Sequence, residues 1–390
     1  MRVSHVITRL IVGGAQENTI ASVMGLRSKP DLDVRLISGP TSGPEGSLED
    51  SFAAEPQLLT ILPELVRPIH PWKDLIAWRR LIGDFRVQRP DLVHTHSGKA
   101  GILGRFAAAR AGVPLVVHTI HGPSFGPFQG PVPNAMFRFA ERRAAAVTTH
   151  FVSVADAMTQ QYLAAGIGRA QQYTRVFSGF PLEPFLSSAN DSDLRARLGI
   201  RTEDIVIGKI ARLFKLKGHD DLFQIAPDLV RKRPNLKFLL VGGGPWRQRF
   251  EVLARSSGLA SNFIFTGLVP PNEIPQLLGI MDILVHLSLR EGLPRALPQA
   301  LAAARPVVAY DCDGAREVCL DGETGLLIRA RDRTGLTIAL NRLIEDSDLR
   351  RRLGQRGRAF VKERFSVERM VEDLYALYMK LFDENRTARA

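Results

Sequence analysis

Four short stretches of this chain combine cations, an acid or glycines in ways that suit an anionic ligand. The densest is Ala211-Arg212-Leu213-Phe214-Lys215-Leu216-Lys217-Gly218-His219, which follows the β-branched run Ile205–Ile210 and leads into a helix-like segment. Arg212 and Lys217 beside a helix N-terminus can clamp a diphosphate, and the same cluster also suits a solvated basic loop. A second stretch, Val12-Gly13-Gly14-Ala15-Gln16-Glu17, places paired glycines before a helix. Their backbone can approach a ligand closely or simply make a tight turn, and the spacing is not that of a dinucleotide fingerprint. A third, Val241-Gly242-Gly243-Gly244-Pro245, reads as a strand end turning into a helix that begins at or near Pro245. The fourth runs from Leu289 to Ala309: an acid, Glu291, in a loop, then Gly292, Leu293 and Pro294, a helix containing Pro298 and Gln299, and a buried strand.

His94, His96, His118 and His121 fall within a short span. His94 and His96 share one face of a strand, which is a geometry a metal could use. Histidines at strand ends more often hydrogen-bond, so no metal is expected. Ser97-Gly98-Lys99 ends like a phosphate-binding loop, but the upstream glycine is missing and Ala100 replaces the hydroxyl residue, which rejects it. Neither a G-x-S-x-G elbow nor an H-E-x-x-H helix occurs.

These stretches sit between alternating strand-like and helix-like segments. Val3–Ile7, Val34–Ile37, Leu92–His96, Leu115–His118 and Phe151–Val154 read as buried strands, and Gln16–Arg27, Trp72–Val87 and Lys99–Arg110 as helices. Trp72, Leu75, Ile76, Leu81, Ile82 and Phe85 recur at three- and four-residue steps. The pattern pauses at Ser178-Gly179-Phe180-Pro181 and restarts with Ile205–Ile210, Phe238–Val241, Phe263–Phe265, Ile283–Leu287 and Pro306–Ala309. Such alternation implies parallel sheets covered on both faces, and the pause places a domain boundary in the 180–200 region. Phe365–Leu381 closes the chain as an amphipathic helix with Met370, Leu374, Tyr375 and Tyr378 on one side.

With 390 residues the chain exceeds one ordinary core, so two domains are expected. Hydrophobic residues at 45% and charged residues at 24% argue against disorder. No run approaches the roughly 18 apolar residues of a membrane span, and the N-terminus enters a strand with no leader pattern. Cys312 and Cys319 make no disulfide framework and read as reduced thiols, so a cytoplasmic location is expected. The excess of 52 Lys+Arg over 40 Asp+Glu, a net +12, suits nucleic acid, an acidic membrane surface or phosphorylated small molecules. Nothing resembles a basic stripe with interleaved aromatics, which speaks against nucleic acid.

Taken in order, the four stretches resemble family 4 retaining glycosyltransferases of the GT-B fold, and the resemblance covers nearly the whole chain. Asp313-Gly314-Ala315-Arg316-Glu317-Val318 and Asp321-Gly322-Glu323-Thr324-Gly325-Leu326-Leu327 carry its most specific part. His94-Thr95-His96-Ser97-Gly98-Lys99-Ala100-Gly101 and His118-Thr119-Ile120-His121-Gly122 are similar to members that build bacterial surface polysaccharides. The resemblance implies two doubly wound Rossmann-like α/β domains facing across a cleft. Residues 1–185 would bind the acceptor and 186–365 the nucleotide-sugar, with the last helix, 366–382, packing back on the first domain.

By the same resemblance, Arg212 and Lys217 neutralise the donor diphosphate as it leaves, the electrostatic stabilisation that usually dominates catalysis. Gly13 and Gly14 bring backbone amides to the phosphates, Gly243 and Leu293 line the donor, Glu291 contacts the transferred sugar, and His121 hydrogen-bonds one of its hydroxyls. Metal ions are generally not needed in this fold, and UDP is the expected nucleotide. One departure stands out: Gln299 occupies the second acid position of the E-x7-E motif. Its oxygen can accept a bond from the nucleotide ribose without a charge, so donor binding is expected to be weaker or the nucleotide preference altered.

The segment Gly122–Arg143 carries Phe125, Phe128, Phe137 and Phe139 with Arg138, Arg142 and Arg143. It suits an acidic membrane interface near a lipid-linked acceptor, and equally an ordinary loop and helix with core phenylalanines. Two other functions share the fold: a sugar-nucleotide epimerase, which the Arg212/Lys217/Glu291 spacing disfavours, and a non-catalytic binder, which Gln299 and the +12 charge keep open.

Overall fold

A computed structural model describes residues 1–41, 46–126 and 128–389. The chain divides into one unit formed by Met1–Phe180 with Val367–Ala390 and another formed by Pro181–Ser366. The division precedes the expected 185/186 boundary because the short helix Glu183–Leu186, in which Phe185 is buried, packs with helices Ile274–Gly279 and Ala296–Ala302 of the second unit.

In the first unit seven strands form one parallel sheet: β1 (Arg2–Ile7), β2 (Asp33–Ser38), β3 (Leu59–Ile61), β4 (Leu92–His96), β5 (Leu115–Ile120), β6 (His150–Ser153) and β7 (Tyr173–Arg175), in the order β3-β2-β1-β4-β5-β6-β7. In the second, β8 (Ile205–Ile210), β9 (Leu236–Val241), β10 (Phe263–Gly267), β11 (Ile283–His286), β12 (Val307–Asp311) and β13 (Gly325–Arg329) run β10-β9-β8-β11-β12-β13, again parallel. Both are doubly wound, with the order reversing between β1 and β4 and between β8 and β11. Loops beyond the carboxyl ends of those strands are where such sheets bind ligands.

The central strands are buried because helices cover both faces; β5, for instance, is buried at all six positions although it carries His118 and Thr119. The final helix, Val367–Arg389, belongs to the first unit. Met370, Val371, Leu374, Tyr378 and Leu381 join Val3, Val23, Leu26 and Leu36 in one core. Gly25 lets the helices meet, since a Cβ there would lie 2.3 Å from Val371 Cγ2. Helix Pro71–Gln88 departs from the expected stripe. It buries Ala77, Leu81, Ile82 and Phe85, whereas Trp72 is 74% exposed and Ile76 42%. Only its second half lies over the sheet.

Candidate active site

In the second unit the loops after β8 and β11 are tied together. Leu289 N–H donates to Leu216 O at 2.8 Å, and Gly218 turns at φ 67° with its Cα against Leu287 O, where a Cβ would come within 2.0 Å. The helix His219–Lys232 starts immediately afterwards. This geometry brings the Lys217 ammonium into an ion pair with Glu291 Oε1, both side chains 21% exposed. Arg212, on the same loop, is exposed, with its guanidinium 5.9 Å from the Phe214 ring centroid. Its carbonyl accepts a 3.1 Å hydrogen bond from His219 Nε2–H.

Glu291 is further fixed through its backbone, whose N–H donates to Asp313 Oδ2 at 2.7 Å, while Gly314 N–H donates to Gly292 O at 3.0 Å. Burial is the largest influence on the Glu291 carboxyl and acts upward, but Lys217, His286 and Ser288 together outweigh it and hold the group below the usual range. Beside it, His286 Nε2 lies 3.6 Å from Glu291 Oε1 and has no hydrogen-bond partner among the described residues. Burial depresses this imidazole to about 3, so it is neutral at pH 7.

The glycine loop after β9 is stitched to the same place. Leu213 N–H donates to Gly243 O at 2.8 Å and Trp246 N–H to Leu213 O at 3.0 Å. The helix that follows begins at Arg247, two residues beyond Pro245. Leu293 is buried, and Gln299 is half-buried in helix Ala296–Ala302. Pro298 occupies the first turn of that helix, where its missing N–H removes no internal bond, so no bend is needed.

Lys209, on β8 three residues before Arg212, is a feature the sequence did not single out. It is 1% exposed and its Nζ has no hydrogen-bond partner among the described residues. Burial lowers the amine to about 7, the Lys217 charge adding to this and Glu291 and Asp221 opposing it. The Lys209 amine is therefore electrostatically coupled to the Lys217–Glu291 pair.

In the first unit, Gly13 precedes helix Gly14–Leu26 after β1, and its carbonyl accepts from Glu17 N–H at 3.0 Å. Gly14 is exposed. His121 follows β5, and its Nε2 lies 3.0 Å from His96 Nδ1. His94 and His96 stack with ring centroids 4.3 Å apart, joined by His5 from β1, which pairs in register with His94. His118 points elsewhere: its Nδ1 contacts Thr95 Oγ1 at 2.9 Å and its ring meets Phe151 edge-on.

Comparison with known proteins settles the family. Residues 14–176 match the model for a glycosyl transferase 4-like domain and residues 190–360 that for glycosyl transferases group 1. The glycosyltransferase-named EpsD of Bacillus subtilis (strain 168) is 30% identical over 325 residues, covering 80% of this chain and 83% of EpsD. The chain is a family 4, group 1 glycosyltransferase.

Another relative of this glycosyltransferase is the UDP-Gal:α-D-GlcNAc-diphosphoundecaprenol α-1,3-galactosyltransferase of Escherichia coli, 26% identical over 385 residues, 98% of this chain and 97% of that one. Among solved structures, Anabaena HepE with UDP superimposes with a TM-score of 0.82 at 22% identity, covering 97% of this chain and all of HepE. Sucrose-phosphate synthase of Thermosynechococcus elongatus gives 0.79 at 18%, covering 98% of this chain and 100% of the synthase. The glycosyltransferase thus has the GT-B fold, and it is an enzyme of the hexosyltransferase type.

Proposed function

We propose that this glycosyltransferase moves a hexose or N-acetylhexosamine from a nucleotide-sugar, a UDP-sugar by preference, to a lipid-linked or polysaccharide acceptor during surface-glycan synthesis, with retention of anomeric configuration. The observation that carries this is the Lys217–Glu291 ion pair at the β8/β11 switch point, with Arg212 on the same loop. Two cations there meet the charge that develops on the diphosphate as the anomeric C–O bond breaks, and Glu291 holds the transferred sugar. The acceptor oxygen attacks from the face the diphosphate leaves, and its proton passes to that phosphate. Because Arg212 and Lys217 do the neutralising, the reaction is metal-independent. A nucleotide-sugar donor is also in keeping with the UDP-bound HepE structures and with the donor in the Escherichia coli relative's name.

Helix Pro131–Ala145 supports contact with an anionic membrane. Val132, Met136 and Phe139, at i, i+4 and i+7, are 77%, 50% and 60% exposed, with Arg142 and Arg143 exposed beside them. Phe125 is core instead, and Pro127 lies outside the described residues. Among the described residues no helix is long and apolar enough to cross a membrane. Sedimentation with anionic but not neutral vesicles checks this contact; equal recovery with both contradicts it.

The test of function is transfer of labelled sugar from UDP-hexoses to a polyprenyl-diphosphate sugar in EDTA, with the product's anomeric configuration read by NMR. An axial donor linkage kept in the product supports the proposal, and inversion overturns its mechanism. Nucleotide binding without transfer to any acceptor would favour the non-catalytic binder that Gln299 suggests.

A further inference from the structure

Six side chains, from β1, β4, β5, the loop after β5 and the last helix, form one hydrogen-bonded line that ends at His121. His121 Nε2 lies 3.0 Å from His96 Nδ1, His96 Nε2 2.9 Å from His5 Nδ1, and His5 Nε2 3.5 Å from the Tyr378 hydroxyl. That hydroxyl also meets His94 Nδ1, and His94 Nε2 lies 2.6 Å from Thr119 Oγ1. His5, His94, His96, Thr119 and Tyr378 are all buried, while His121 is partly exposed.

The proton count along this line gives it a direction. Burial depresses His5 and His121 to about 3 and His94 and His96 well below the usual imidazole value, so each ring is neutral, with one N–H and one lone pair. Each of the six groups then brings one proton to five links, so one proton is surplus. An interior histidine cannot carry it, because both its nitrogens are already in links. On Thr119 or Tyr378, 3% and 0% exposed, it would point at no further acceptor among the described residues, which leaves a buried donor unsatisfied. On His121 Nδ1 it faces the accessible side of the ring.

We propose that this line fixes His121 as its Nδ1–H tautomer, so that His121 offers a ligand of the first unit a hydrogen-bond donor and not a base. Thr119 O–H donates to His94 Nε2, His94 Nδ1–H to Tyr378 O, and Tyr378 O–H to His5 Nε2. His5 Nδ1–H then donates to His96 Nε2, and His96 Nδ1–H to His121 Nε2. His5, His94, His96, Tyr378 and Thr119 are positioning residues, acting only through His121. The role of His121 rests on the glycosyltransferase reading above; its tautomer does not. His5, His94 and His96 also hold ligand atoms within 4.8 Å of one another, the geometry of a metal site. Their lone pairs, however, are already committed to the line.

The experiment is a long-range 1H–15N spectrum of the full chain labelled at histidine, recorded at pH 7.5 with EDTA. The expected result is a pyrrole-like Nδ1 and a pyridine-like Nε2 for His121; the opposite pattern, or averaged signals, overturns the inference. Tyr378→Phe cuts the line in the middle, so His121 should become a tautomer mixture and kcat should fall about tenfold, with the donor KM within about twofold. Unchanged kcat and unchanged ring signals in that variant would also overturn it. If Tyr378→Phe does not fold, the parent spectrum still decides. Stoichiometric zinc retained through gel filtration, with His5, His94 and His96 signals displaced, would replace the line with a metal site. UDP titration of the same sample separates the two claims. Absent UDP binding with an intact tautomer pattern removes the functional reading alone, and the reverse removes only the inference.

Discussion

Lys217 and Glu291, 74 residues apart in sequence, are ion-paired, and Asp313 holds the backbone N–H of Glu291 from a third loop at 2.7 Å. The acid and the cation therefore arrive at the donor already fixed. Lys217→Ala should lower kcat/KM by about 10²–10³, the usual effect of removing one donor to developing charge. It should also shift the pH profile. Burial is the largest influence on the Glu291 carboxyl and acts upward, and Lys217 is the main opposing charge. Without it the carboxyl rises, and the acid limb of kcat/KM moves to higher pH. An unchanged acid limb would mean that the pair does not set the ionisation of Glu291.

Gln299→Glu restores a charge where the family motif has one. The side chain is half-buried, so a carboxylate there would keep an accessible oxygen for a ribose hydroxyl. Charged hydrogen bonds contribute about 1.5–3 kcal/mol against about 0.5–1.5 for neutral ones, so UDP should bind roughly tenfold tighter. The gain should vanish with 2′,3′-dideoxy-UDP. Equal affinities for parent and variant would remove Gln299 from the ribose contact.

The loops after β8, β9 and β11 could be read from sequence because cations, glycines and an acid are uncommon neighbours and each follows a strand. Lys209 could not, since a lysine in a strand ordinarily faces solvent and only the tertiary fold buries it. His5 escaped for a related reason: its partners His94 and His96 lie about ninety residues away and meet it only through the β1–β4 register. Tyr378 read as one apolar position in a helical stripe, and its hydroxyl acquires meaning only beside His94. The strands β3 and β7 are three residues each and poorly buried, too short to show a period, and β13 was seen only as part of a motif. Trp72 kept helical spacing but lies beyond the sheet it was expected to cover.

Acid should destabilise the first unit steeply. His5 and His121 titrate near 3 when folded against 6.5 in the free side chain, because burial disfavours the imidazolium. Between those values the unfolded chain binds protons that the folded chain does not. Stability is therefore fully present above pH 6.5 and is lost as pH falls, by up to about 1.4 kcal/mol per pH unit for each ring. Urea unfolding at pH 7.5, 6.5 and 5.5 checks it; a midpoint that does not move would contradict rings held neutral in the folded chain.

Lys209 predicts a slope at the opposite end of the scale. Its amine is near 7 when folded against 10.5 free, so between those values only the unfolded chain is protonated and stability rises with pH. Lys209→Met removes this contribution, flattening the slope between pH 7 and 10 by up to about 1.4 kcal/mol per unit. Below pH 7 the variant should be more stable than the parent, since an unpartnered buried charge is gone. Parallel stability curves for the two proteins would show that Lys209 is solvated or partnered.

The central claim is that the loops around Arg212, Lys217 and Glu291 hold a nucleoside diphosphate without a metal, and calorimetric titration of UDP, GDP and ADP into the purified chain in EDTA tests it most directly. The account predicts saturable binding of UDP in preference to the other two, weakened about ten- to a hundredfold by Arg212→Ala or Lys217→Ala. Absence of binding by all three nucleotides, or binding that neither substitution weakens, would contradict it.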